Sequence, residues 1–207
     1  MIDRNFNRTH FFLLLAAFAF CTAHKAAAQR KKNQQSVQQA NTREAEFYFT
    51  EGERYFMLED YAKALLYYEK TLEVTPDNAT VYFKIADVLA RSKHPGDMQR
   101  AAVSIENALR LEKGNKFFYL LAANIFIAQG RHDRAAQAYE DLLANVKRTD
   151  ECLYELAAVY QYAQKPDDAI KTYNRAEAAF GVNEVSSLQK IRLLLERSKT
   201  KEAIAEG

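Results

Sequence analysis

The sequence predicts an all-α protein built from repeated helix–turn–helix units. Its 207 residues include only 6 Gly and 3 Pro, which disfavours turn-rich β-sandwiches and barrels. Residues with high helix propensity, such as Ala, Leu, Glu, Gln, Lys and Arg, are abundant. After Glu44, small and aromatic residues recur with a period of about 34 residues. A hydrophobic fraction of 48% supplies enough apolar material for a core.

The charge balance argues against a nucleic-acid partner. The chain has 29 basic and 27 acidic residues, a formal charge of +2. The basic excess lies before residue 44, because residues 44–207 hold 22 basic and 26 acidic residues, about −4 in all. Binding to nucleic acid by phosphate neutralisation needs a basic surface of one sign. A slightly acidic repeat region favours a protein partner instead.

Residues 1–28 are predicted to be a cleaved secretory signal peptide. Arg4 and Arg8 form a basic start, an apolar run follows over Phe11–Phe20, and small residues end at Ala28. Even extended to Ala23, the apolar run has 13 residues, whereas a spanning helix needs about 20. Cleavage is expected after Ala28, with Ala23 as the alternative. We therefore expect export to a bacterial-type periplasm or cell envelope.

The two cysteines suggest neither a lipid anchor nor a disulfide. Lipidation of Cys21 is disfavoured because the bulky Phe20 stands where lipoprotein signals carry a small residue. After cleavage only Cys152 remains, so the mature chain cannot form an intramolecular disulfide. The apolar helical stretch around Cys152 predicts a small buried residue rather than a reactive thiol.

Residues 29–43 are predicted to be a disordered basic and Gln-rich tether. They hold one large aliphatic residue, Val37, with four basic residues and no acidic one. Such a segment cannot bury enough apolar surface to become ordered. The basic trio Arg30, Lys31 and Lys32 leaves peripheral contact with an anionic membrane open, beside the simpler interpretation of a solvated leader.

The first repeat unit covers residues 45–78 and is followed by units at 79–115, 116–149 and 150–183 and a partial unit at 184–207. In the first unit, matching residues stand at unit positions 4, 8, 11, 20, 24 and 32: Tyr48, Gly52, Tyr55, Ala64, Tyr68 and Pro76. The small residues at positions 8 and 20 let the two helices of a unit approach closely. The aromatic residues fill the space between units, so that neighbouring units share one core.

This pattern resembles the tetratricopeptide repeat (TPR), a helix–turn–helix of about 34 residues. The resemblance implies a solenoid in the form of a right-handed superhelix over residues 44–207. The fifth unit fits poorly, since Ser187 and Lys190 stand where aromatic and aliphatic residues belong, and its second helix has barely begun at Thr200. We expect either a fragment of a longer repeat protein or a last helix that docks on a partner.

Residue patterns for catalysis or metal binding are not found. After signal removal the histidines are His94 and His132, both expected in turns, and no Cys/His spacing resembles a zinc site. Neither a Gly-rich phosphate loop nor a Ser/His/Asp arrangement can be assembled. The acidic pairs at 140–141 and 167–168 are typical of helix starts and solvated faces. We expect a chain that is not an enzyme and has no cofactor.

The resemblance also implies a concave groove, lined by the first helix of each unit, that receives a peptide or helix of a partner. Family members that clamp a terminal carboxylate carry Lys and Asn where this chain has Phe49 and Glu53, so we expect no such clamp. The alternative is that the aromatics pack against each other or against the leader. The groove residues implied near unit positions 2, 5, 9, 12 and 13 are Phe49, Glu53, Phe56, Met57, Phe83, Asp87, Arg91, Phe117, Leu120, Asn124, Ile127, Tyr154, Gln161 and Tyr162.

Two functions remain open from the sequence. The first is a non-catalytic scaffold of the cell envelope that binds a protein or peptide in its groove. The second is an N-terminal sensor or adaptor module whose enzymatic or DNA-binding part lies beyond residue 207.

Overall fold

A computed structural model describes residues 31–32 and 36–207, and within these ranges the chain is helical with no β-strand. The predicted signal peptide lies outside the described residues. A short 3-10 turn at Asp150–Cys152 precedes the seventh helix. The helices are α1 (36–57), α2 (Tyr61–Val74), α3 (Ala79–Arg91), α4 (Asp97–Leu111), α5 (Lys116–Ala128), α6 (His132–Asn145), α7 (Leu153–Tyr162), α8 (Pro166–Phe180), α9 (Glu184–Glu196) and α10 (Thr200–Glu206).

The helices pack as consecutive antiparallel pairs, which confirms the predicted all-α repeat solenoid. Each predicted unit contains one odd-numbered and one even-numbered helix, and successive helices along the chain pack against each other. Polar side chains mark several helix starts, because Asp60, Asn78, Asn115 and Asn183 each accept a hydrogen bond from a backbone N–H of the first turn. Pro166 begins α8, where its missing N–H leaves no hydrogen bond unmade.

The small residues at unit positions 8 and 20 lie at the centre of each helix pair. All of them are buried, and the alanines are completely so. They are Gly52, Ala86, Ala123 and Ala157 on the first helices and Ala64, Ala101, Ala135 and Ala169 on the second helices. A main cluster of buried apolar residues runs from Ala64 to Val159, and a second one joins α7, α8 and α9. Cys152 is buried as predicted, and burial raises the pKa of its thiol.

The N-terminal end of the fold differs from the predicted tether. Residues 36–43 are helical and continue directly into the first repeat helix, although all of their side chains are exposed. Extending an existing helix costs far less than nucleating one, and Gln and Ala are good helix formers. Low apolar content therefore did not prevent helix formation next to a packed unit.

The fifth unit contains a buried ion cluster at the position that the sequence marks as a poor fit. Lys190 is only 3% exposed, and its Nζ lies 2.6 Å from Glu177 Oε2 on α8 and 2.5 Å from Glu206 Oε1 on α10. Ser186 Oγ donates to the other oxygen of Glu177 at 2.6 Å. The lysine thus replaces an aliphatic core residue by binding carboxylates from both neighbouring helices, and this attaches the short α10 to α8 and α9.

The charged forms of this cluster stabilise one another. Burial disfavours the ammonium of Lys190, but its hydrogen bonds to Glu177 and Glu206 outweigh that effect and raise its pKa. Burial likewise disfavours the Glu177 carboxylate, but hydrogen bonds from Lys190 and Ser186 outweigh it and lower the pKa of Glu177. Because the folded-state pKa of Glu177 is lowered, its stabilising contribution is present above its unfolded pKa and is lost as the pH falls through the folded value.

We predict that Glu177→Gln lowers the free energy of unfolding by about 1.5–3 kcal/mol at neutral pH, the range for a hydrogen bond to a charged group. The difference from the wild type should shrink as the pH falls through the lowered folded-state pKa of Glu177, because residue 177 then becomes neutral in the wild type as it is in the variant. Urea unfolding at a series of pH values measures this. Glu202→Gln on α10, where Lys199 lies 3.6 Å away on an exposed surface, is the control. A wild-type advantage of constant size at every pH would contradict the prediction.

Candidate partner-binding surface

The first helices of neighbouring units lie side by side and form one surface, here called the first-helix face (the outward sides of α1, α3, α5, α7 and α9). Lys84 Nζ on α3 lies 2.8 Å from Glu53 Oε2 on α1. The ring of Phe83 on α3 stacks on Phe118 of α5, with centroids 5.1 Å apart. Arg192 on α9 contacts α7 as well. The predicted groove residues lie on α1, α3, α5 and α7, and each is half-buried or exposed.

At the N-terminal part of the face, Glu53 has a structural role. It accepts a hydrogen bond from the hydroxyl of the fully buried Tyr68, and it pairs with Lys84. Burial, together with the neighbouring Glu53, raises the pKa of Tyr68. A carboxylate that already holds two partners is a poor ligand for a third group. Glu53 therefore fixes α1 against α2 and α3 more than it offers a binding group.

The charged side chains of α3 all pair within the chain. Arg91 Nε lies 2.9 Å from Asp87 Oδ1. Both Lys84 and Arg91 place their cationic groups 5.4 Å from the ring centroid of Phe56. These charged groups already have partners within the chain, so a bound protein would gain little net electrostatic attraction from them.

The centre of the face, on α5, carries no charge after its first residue, Lys116, whose Nζ lies 5.5 Å from the ring centroid of Phe117. No ionisable side chain other than a tyrosine occurs from Phe117 to Ala128. Phe117 is 58% exposed, Leu120 and Ile127 are half-buried, and Asn124 presents the one exposed amide of this stretch. An apolar surface with a single amide suits a partner segment that brings aliphatic or aromatic side chains.

At the C-terminal part of the face, aromatic side chains are held in place from outside their own helix. Tyr154 accepts a hydrogen bond from Asn183 Nδ2 at 2.9 Å and stacks on Phe180. Tyr162 is 66% exposed and stacks on His132, with ring centroids 5.8 Å apart. Between α7 and α9 lies a cavity of about 700 Å³.

The face extends onto α9, which sequence reasoning did not include. Val185, Leu188, Arg192 and Leu195 are exposed there, at unit positions 2, 5, 9 and 12 of the fifth unit. Applying the same positions to residues 184–207 would have found them. The poor fit at Ser187 and Lys190 concealed this signal, although those residues do not lie on the face.

Some of the groove aromatics pack against other rings of the chain, and others are exposed to solvent. Phe49 packs on Tyr68, and Phe56 packs on Tyr61, each with ring centroids 5.9 Å apart, as expected if the aromatics close against one another. Met57 is instead 75% exposed, and Phe117 and Tyr162 are exposed as well. The exposed aromatic groove residues therefore lie on α5 and α7, and the exposed aliphatic one, Met57, lies at the end of α1.

The described part of the chain shows neither a metal-binding group of side chains nor a membrane-spanning helix. Among residues 31–32 and 36–207, no group of three or more His, Cys, Asp or Glu is placed to hold a metal ion. His94 is exposed in the loop after α3, and His132 begins α6. No helix within these residues has the length and apolar character needed to cross a bilayer.

Comparison with known families identifies the repeats. Models of the tetratricopeptide repeat match residues 45–78, and also residues 95–147 and 120–184. These matches cover more than half of the chain, and they start at the first repeat unit that the sequence predicts. No curated protein matches the sequence.

Solved structures show the same fold at low sequence identity. The MamA protein is 17% identical with a TM-score of 0.63, over 78% of this chain and 87% of that one. YrrB, described as a TPR protein with an unusual peptide-binding site, is 14% identical with a TM-score of 0.63, over 83% and 87%. A TPR protein from Parabacteroides merdae is 18% identical with a TM-score of 0.61, over 79% and 64%. The repeat matches and the shared solenoid fold show that the chain belongs to the tetratricopeptide repeat family.

Proposed function

We propose that the chain is a non-catalytic interaction scaffold that binds a peptide or helix of a partner protein on its first-helix face. The observation that carries this proposal is the position of the exposed large apolar side chains. Eight of them, at 52–75% exposure, stand on first helices: Val37, Phe47, Met57, Phe117, Tyr162, Val185, Leu188 and Leu195. Half as many stand on the second helices of the described chain: Leu66, Val103, Phe180 and Ile204.

The chemistry of the face supports a partner segment that is mainly apolar. The charges of α3 pair within the chain, and α5 carries no charge after Lys116. Exposed apolar patches bordered by polar groups are typical of protein interaction sites. YrrB has a peptide-binding site on the same kind of solenoid, which supports this use of the fold.

We also propose that the protein is exported and acts in the periplasm or cell envelope. This proposal rests on the order of basic, apolar and small residues in 1–28, which is typical of a secretory signal. The basic residues that follow, including Lys31 and Lys32, would allow peripheral contact with an anionic membrane surface. Neither export nor peripheral membrane contact requires a membrane-spanning helix in the mature protein.

We predict that a photoreactive phenylalanine analogue at position 117 crosslinks the partner protein in the native host, because Phe117 lies exposed at the centre of the face. The matched control is the same analogue at Val103 on α4, which is 50% exposed on a second helix. Crosslinked products are identified by mass spectrometry. Equal recovery of the same proteins from positions 117 and 103, or none from 117, would count against partner binding on this face.

We predict that the mature protein isolated from its host begins at Gln29, or at His24 if cleavage follows Ala23. Intact-mass and N-terminal peptide analysis of the cell-envelope fraction measures this. A chain that retains Met1, or one that starts with a lipidated Cys21, would refute cleavage of this signal as proposed.

A further inference from the structure

We propose that the cavity between α7 and α9 is an anchor site for an acidic segment of the partner protein. An Asp or Glu side chain of that segment binds Arg192, and a neighbouring aromatic or aliphatic side chain packs on Tyr162 and Val185. This inference rests on the proposed function and adds the chemistry of the bound segment. The residues that line the cavity and carry the argument are Tyr154, Gln161, Tyr162, Val185, Gln189 and Arg192.

The guanidinium of Arg192 is held in place before any partner binds. Its Nη2 donates to Gln161 Oε1 at 2.8 Å, and Gln161 Nε2 donates to the hydroxyl of Tyr173 at 2.8 Å. Tyr173 is buried on α8, so the hydrogen bonds link α9, α7 and α8. Fixing a flexible side chain in advance reduces the entropy lost on binding. Gln161 is therefore a positioning residue for Arg192.

The charge of the cavity favours a carboxylate. No Asp or Glu lines it, and Arg192 is the only side chain in its lining that is charged at neutral pH. Glu196, on the same helix, lies 3.6 Å from the Nε of Arg192, with both side chains about 60% exposed to solvent. Such an exposed pair is weak. Among the described residues no carboxylate is bonded to Nη1, so a planar acceptor can bind there.

The apolar wall of the cavity favours an aromatic or aliphatic side chain next to the carboxylate of the bound segment. Val185 is 70% exposed and Tyr162 is 66% exposed, and the stacking of Tyr162 on His132 fixes its ring. A partner side chain that packs here removes both surfaces from water. Leu188 and Leu195, at 57% and 52% exposure, continue the apolar surface along α9. Because the face continues from the cavity toward α5, and Leu188 and Leu195 extend the apolar surface along α9, we assign the carboxylate to an internal Asp or Glu, not to a chain terminus.

A phage library of random 12-residue peptides, panned on the purified protein, tests the proposal. Enriched peptides are synthesised with a free and with an amidated C-terminus, and binding is measured by fluorescence anisotropy. We expect an Asp or Glu within about two residues of an aromatic or aliphatic residue, and equal binding of both C-terminal forms. Arg192→Ala should weaken binding about tenfold or more, the scale of one charge-assisted hydrogen bond. Arg192→Lys should restore part of the loss.

Two control variants separate the outcomes. Arg134→Ala removes a similarly exposed arginine that pairs with Glu106 on the second helices, and it should leave binding unchanged. Phe117→Ala tests the proposed face as a whole. Two results would overturn this inference and leave the proposed function standing. In the first, peptide binding is weakened by Phe117→Ala but unchanged by Arg192→Ala. In the second, the peptides bind only with a free C-terminus. Failure to enrich any peptide would overturn both this inference and the proposed function.

Discussion

The close approach of the two helices within each unit is the constraint on which this structure depends. It is made possible by residues at unit positions 8 and 20 that are too small to hold the helices apart, and every one of them in the four full units is buried. A unit with its helices closed cannot cover its remaining apolar surface alone, so neighbouring units stack. Stacking brings all the first helices to one side. The first-helix face, with its exposed apolar residues, follows from this geometry.

Much of the fold could be predicted because this constraint is visible in residue types at a fixed period. Other features depend on groups that are distant in sequence or on backbone conformation. Glu59, Gly130, Gln164 and Ser198 all have left-handed φ values of 57–69° at the same unit position, yet only the glycine suggests such a turn. Lys190 looked misplaced because its partners, Glu177 and Glu206, belong to other helices. The helical residues 36–43 depend on the packed unit that follows them.

The candidate surface was predictable in position but not in role. Counting along the unit selects residues of the first helices, and those residues are half-buried or exposed. Counting cannot show that Glu53 is already bonded to Tyr68 and Lys84, nor that Phe49 packs on an interior ring. It also omitted Arg192, because the fifth unit was judged by its core positions. We therefore place the proposed partner contacts mainly on α5, α7 and α9, since the charges of α3 pair within the chain.

The central claim is that helix approach sets this architecture, and the free energy of unfolding of Gly52→Ala tests it most directly. A Cβ at residue 52 would lie 2.6 Å from Cε1 of the buried Tyr68 ring. Tyr139 and Tyr173 stand at the same unit position as Tyr68, in units that carry Ala123 and Ala157 where the first unit has Gly52. The outcome therefore depends on whether the Tyr68 ring can move away from the added Cβ. We predict a loss of about 1–3 kcal/mol, with Gly114→Ala, which has open space, nearly neutral. A gain of about 0.5–1 kcal/mol, usual for Gly→Ala within a helix, would contradict the claim.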